Sequence, residues 1–187
     1  MPRSVPSVPS GPMRRGLVAL LLSCTLLMTT AACGGDDDQS ASADTSATAT
    51  VEQQKLAKTR FVANAGLAAG ATYQWIVKPY RAGKFKKGAD GQKFAVVKAG
   101  LAGAFAYNRL KAAVNNAKGD EHLSKAVAPL TAGIDKLKDL GTKLRKGEAS
   151  EADIGAFENV ITDVKDAGAS AGAVVTDKVP STSQLGG

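Results

Sequence analysis

Through the second half of the chain, apolar or small residues recur at helical spacing. Leu123, Val127, Leu130, Ile134, Leu137, Gly141 and Leu144 follow one another at intervals of four and three, and Ile154, Phe157, Ile161, Val164, Gly168, Ala171 and Val175 repeat the rhythm. Such spacing puts each set on one face of a helix, and the charged residues Lys136, Lys138, Asp139, Glu158, Asp163 and Lys165 fall mostly off that face. Ser150 with Asp153 three positions later forms a capping-box start for the last helix. Pro129, inside the third pattern, predicts a kink or a broken first turn there.

The first half is helical in a different way. VEQQKLAKTRFVANAGLAAGATYQWIVKPY begins amphipathic and carries no charge from Phe61 to Val77, and QKFAVVKAGLAGAFAYNRLKAAVNNAKG gives a second helix ending near Gly119. The uncharged run is only about 17 residues, rich in Ala and Gly and interrupted by Asn64, Thr72 and Gln74, which disfavours a membrane-inserted helix. Ala65-Gly66-Leu67-Ala68 is echoed by Ala99-Gly100-Leu101-Ala102, and further Ala-Gly pairs start at 132 and 167. Shared positions are too few for a repeat array. A glycine inside a helix costs up to about 1 kcal/mol relative to alanine, so these small residues are expected to mark close helix crossings. The expected fold is all-α, an antiparallel four-helix bundle over residues 51–178 with one long and two short connections. Residues 179–187, polar and without apolar period, are expected to be a disordered tail.

The N-terminal segment is of another kind. Arg14 and Arg15 precede GLVALLLSCTLLMTTAA, the order of a secretory signal, here over residues 1–32, with Met13 the more compact start. Thr30-Ala31-Ala32-Cys33 resembles the lipobox of bacterial lipoproteins, with Thr30 where that family usually has an aliphatic residue. The resemblance covers only about the first 35 residues. It implies cleavage before Cys33, a diacylglycerol on its sulfur, and attachment to the outer face of the cell membrane; the alternative is an ordinary cleaved signal in which Cys33 is incidental. The polar run after it, residues 33–50, lacks aliphatic side chains except Ala and is expected to be a flexible tether.

Charge then changes the picture. The whole chain has 24 basic and 17 acidic side chains, a net charge of +7. Residues 51–187 alone carry +8, because the acidic tether offsets the basic leader. Six of the cations, Lys78, Arg81, Lys84, Lys86, Lys87 and Lys93, fall in or beside the long first connection with Tyr80 and Phe85 between them, and Lys143, Arg145 and Lys146 precede the last connection. In an up-down bundle both connections lie at one end, giving a basic pole opposite the N-terminus. That pole suits an anionic lipid headgroup, an envelope polymer or a protein partner. Lysines in loops and last turns also suit the helix dipole and solubility alone. Nucleic acid is the disfavoured partner for an exported chain with no recognition motif.

A second reading is a small-molecule carrier or chaperone-like module with a groove between the first two helices, walled by Leu67, Trp75, Leu101 and Phe105. Enzyme chemistry has little support. His122 is the only histidine, and there is neither a set of ligands at metal-binding spacing, nor a phosphate loop, nor a nucleophile elbow. No cofactor is implied.

Overall fold

The computed structural model describes residues 42–186. They are all-α, with no strand among the described residues. The first helix, α1 (Ser42–Thr72), continues through a π-helical turn (Tyr73–Val77) into α2 (Lys78–Arg81). Pro79 accounts for the turn: it has no N–H to donate, and its ring crowds the carbonyl four residues back, at Trp75. Widening the helix, so that the Lys78 N–H donates to the Tyr73 carbonyl, carries the chain past the proline without ending the helix. No helix among the described residues is long and apolar enough to cross a membrane.

The tether expected over residues 33–50 is helical from Ser42 onward. Once α1 is nucleated, each added Ala, Thr or Ser gains a backbone hydrogen bond at little further cost. The proposed signal, residues 1–32, together with Cys33 and the first part of the tether, lies outside the described residues.

After a turn comes α3 (Gln92–Ala117), entered through Gly91 in the left-handed region at φ 71°. Asp120 caps α4 (Glu121–Val127) by accepting from the Leu123 N–H at 2.8 Å, and its other oxygen lies 3.5 Å from Lys58 Nζ on α1. Pro129 breaks the third pattern as the sequence implied: a 3-10 turn (Ala128–Leu130) separates α4 from α5 (Thr131–Lys146). Gly147 ends α5 at φ 74°, where its N–H and that of Glu148 satisfy the Leu144 and Lys143 carbonyls. The expected capping box opens α6 (Glu151–Ser170). The chain closes on α7 (Thr182–Leu185).

Packing follows the apolar stripes. α3 lies against both α1 and α5, and α6 contacts α1, α4 and α5. Leu123, Ile134, Leu137 and Leu144 from one stripe, and Phe157 and Val164 from the other, are buried with Phe61, Ile76 and Leu110 in one core. All of this core lies within the compact unit 41–187. Two glycine sites serve helix crossing as expected. Gly100 faces Arg145, and a Cβ on Gly103 would sit 3.1 Å from Gly141 Cα, so α3 and α5 meet almost backbone to backbone.

The glycines of α1 serve something else. Past α6, Gly172 at φ 70° turns the chain back, and the Ala173 N–H donates to the Gly168 carbonyl at 2.7 Å. Residues 173–181 then form an irregular strap against α1. The Lys178 N–H donates to the Gly66 carbonyl at 2.8 Å, and Asp177 pairs with Lys165 of α6 at 2.8 Å. A side chain at Gly66 would strike the Thr176 carbonyl oxygen, and one at Gly70 the backbone of Lys178 and Val179. The tail expected to be disordered from 179 is therefore ordered: Pro180 and Leu185 are buried, and Ser181 with Gln184 forms a capping box. Its few apolar residues have a ready-made slot in which to be buried, which a composition-based reading does not register.

Candidate functional site

The connection between α2 and α3 runs from Ala82 to Gly91, with Gly83, Gly88 and Gly91 all in the left-handed region. At this end of the molecule it meets the end of α5. Tyr80, Phe85, Lys86 and Val96 from one side and Leu144, Gly147 and Ala149 from the other enclose a cleft of about 200 Å³. Tyr80 and Phe85 hold its floor edge to face, with centroids 5.9 Å apart.

A larger cleft, of about 420 Å³, opens between the π-helical turn and α2 on one wall and the start of α3 on the other. Trp75, Pro79, Ala82, Phe94 and Ala95 give it apolar walls; Lys78, Lys84, Lys98, Gln74 and Asp90 give it polar ones. The Lys98 ammonium sits 4.6 Å from the Trp75 ring centroid and 4.2 Å from that of Phe94, within cation–π range of both. The indole Nε1 of Trp75 is buried with no hydrogen-bond partner among the described residues, as is the Thr72 hydroxyl one turn earlier. A buried donor without an acceptor costs about 1–3 kcal/mol. Beside the cleft, α3 exposes Phe94 (65%), Val97 (52%) and Leu101 (37%), three apolar residues on one helical face.

The cations expected at this pole divide into two groups. Some are tied. Arg81 Nη2 pairs with Glu158 Oε1 at 2.6 Å, and Lys143 Nζ with Asp153 Oδ1 at 3.0 Å. Asp153 also accepts from the Ser150 N–H at 2.8 Å and the Ser150 hydroxyl at 2.7 Å. These bonds from Ser150, aided by Lys143, lower its pKa to about 2. The backbone of Arg145 backs onto Gly100 and its side chain is exposed. Others are untied: Lys78, Lys84, Lys86, Lys87, Lys93 and Lys146 have no ion pair among the described residues, and neither does Lys98.

Of the four residues expected to wall a groove, Trp75 alone lines the larger cleft. Leu67 is half-buried against the core, Phe105 is buried beneath the Arg109 guanidinium at 4.9 Å, and Leu101 lies on the exposed face of α3. Sequence reasoning missed Phe94 and Lys98. Their spacing of four was the available signal, since it stacks them on one helical face, but nothing in the sequence showed that Trp75 would face them across the turn. The chain matches no protein-family model, no curated protein and no solved structure.

Proposed function

We propose that this is a non-catalytic protein, anchored by lipid on Cys33 to the outer face of the cell membrane, that binds an anionic envelope component or a protein partner through its basic pole. In this reading the four long helices form an antiparallel bundle that carries the pole on rigid supports. The observation that carries the proposal is the cluster of untied lysines. Lys78, Lys84, Lys86, Lys87, Lys93 and Lys98 gather on one connection and the helix turns beside it, with no ion pair to a carboxylate among the described residues. Unpaired like charges repel one another, and an anionic ligand relieves that repulsion while releasing counterions. From Ser42 to Arg81 the helix spans about 58 Å at 1.5 Å per residue, and the pole lies at its Arg81 end.

The test is binding of residues 41–187 to an anionic polymer and to anionic and neutral vesicles across a salt series. Binding confined to the anionic surfaces, falling steeply with salt and lost on changing Lys84, Lys86 and Lys87 to Gln, is the expected result. No binding at low salt removes the proposal. The second reading, carriage of a small molecule, is favoured by the larger cleft, where apolar walls and lysines converge.

A further inference from the structure

We infer that the cleft between Trp75 and Phe94 is a binding site for a single-chain anionic amphiphile, with a phosphate or carboxylate head among Lys78, Lys84 and Lys98 and its apolar chain on the rings and along α3. The inference rests on the basic-pole reading and gives that surface a specific ligand chemistry. Three observations carry it.

The first is volume and lining. About 420 Å³ is within the range of roughly 300–1,000 Å³ usual for small-molecule sites. Each wall of this cleft carries an aromatic ring, Trp75 on one and Phe94 on the other, and its lining has three ammonium groups against the single carboxylate of Asp90. An anionic head is therefore favoured over a cationic one, and a small inorganic anion leaves the aromatic rings unused.

The second is the state of the charges. Lys98 is held over two rings rather than by a carboxylate, and none of the three lysines is neutralised by an ion pair among the described residues. A head group entering the cleft gains their field without first breaking an ion pair.

The third is the apolar stripe. It starts at Phe94, inside the cleft, and continues through Val97 to Leu101, about 10 Å along the α3 axis. Exposed contiguous apolar surface leading out of a cationic cleft matches a head with a chain attached. The single tail need not enter the core, because the stripe lies on the surface.

Trp75 is the only tryptophan, so its fluorescence reports occupancy directly. Residues 41–187 are titrated with dodecyl phosphate below its micelle concentration, and with octyl phosphate, inorganic phosphate and dodecyl maltoside. Saturable one-site binding of dodecyl phosphate is expected, with affinity rising by up to about fourfold per added methylene between the two alkyl phosphates. Phe94→Ala and Lys98→Gln, both at sites outside the core, weaken it at least tenfold. Lys136→Gln with Lys138→Gln, which removes two exposed positive charges from α5, leaves it within twofold, since neither residue lines this cleft. Phosphatidylglycerol vesicles as a separate arm distinguish a membrane headgroup from a free amphiphile.

Equal affinity for inorganic phosphate, or for the neutral maltoside, overturns the inference. Vesicle or polymer binding without binding of the monomeric alkyl phosphate also overturns it and leaves the basic-pole reading standing. Absence of all binding overturns both.

Discussion

Less than three turns apart on one continuous helix, the molecule treats its surface in opposite ways. Around Gly66 and Gly70, α1 is covered by the strap, so closely that main chain lies where a side chain would be. Around Trp75 the helix widens, and among the described residues the buried tryptophan N–H has no acceptor and the neighbouring lysines have no ion-pair partner. The first region is built for closure, and its small residues are explained by backbone approach alone. The second violates local rules of satisfaction and pairing, the kind of violation expected where a surface serves something other than stability.

The most severe way to break the contrast is to fill the closed region. Gly70→Leu places a side chain where the strap's main chain lies, and it should cost about 2–4 kcal/mol by displacing the strap. Thermal melting measures the loss, and faster tryptic cleavage after Lys178 reports the displacement. A variant that melts like the parent refutes the close approach.

Next in size is an acid effect at the pole, where one cation is tied down. The Asp153 carboxyl titrates at about 2 instead of 3.8, so its contribution is complete above pH 3.8 and is lost as the pH falls toward 2. The loss is at most about 2 kcal/mol, and Asp153→Ala should flatten that part of the stability–pH curve. A parent curve already flat from pH 5 to 2 excludes the bonding described for Ser150, Asp153 and Lys143.

A smaller effect sharpens the comparison from the open side. Trp75→Phe keeps an aromatic ring and removes a donor that lacks an acceptor, so stability should change by less than about 1 kcal/mol. Urea denaturation followed by circular dichroism checks this, and a loss as large as that of Phe61→Ala, about 3–5 kcal/mol, places Trp75 with the core. Smallest of all, Lys86→Gln with Lys87→Gln should leave stability within about 0.5 kcal/mol, because both are exposed and neither has an ion-pair partner among the described residues.

How far the sequence could be read depended on the range of the interaction. Both four-and-three stripes became buried faces, and the capping box at Ser150 and the break at Pro129 appear where their residues stand, since each is decided within one helical turn. Ala171 and Val175 are buried too, although the helix has already ended at Ser170. There the periodicity was right about burial and silent about the turn at Gly172. The glycines were legible as sites of close approach, but what approaches Gly66 is a segment more than a hundred residues later. The cleft failed for the same reason: Trp75 and Phe94 meet because Pro79 widens the helix and three left-handed glycines shape the return.

The hydrogen bond from Lys178 to Gly66 also has a consequence for the order in which the molecule can be completed. A chain made from its N-terminus delivers the strap after every helix that the strap packs against. Until residues 173–185 arrive, the Gly66–Gly70 face of α1 is uncovered, and Pro180 and Leu185 have nothing to bury themselves in. Residues 173–185 thus act as a latch that engages only when the helices before them are in place. A premature stop near Gly172 would yield a chain with every long helix present and its first one open along one side.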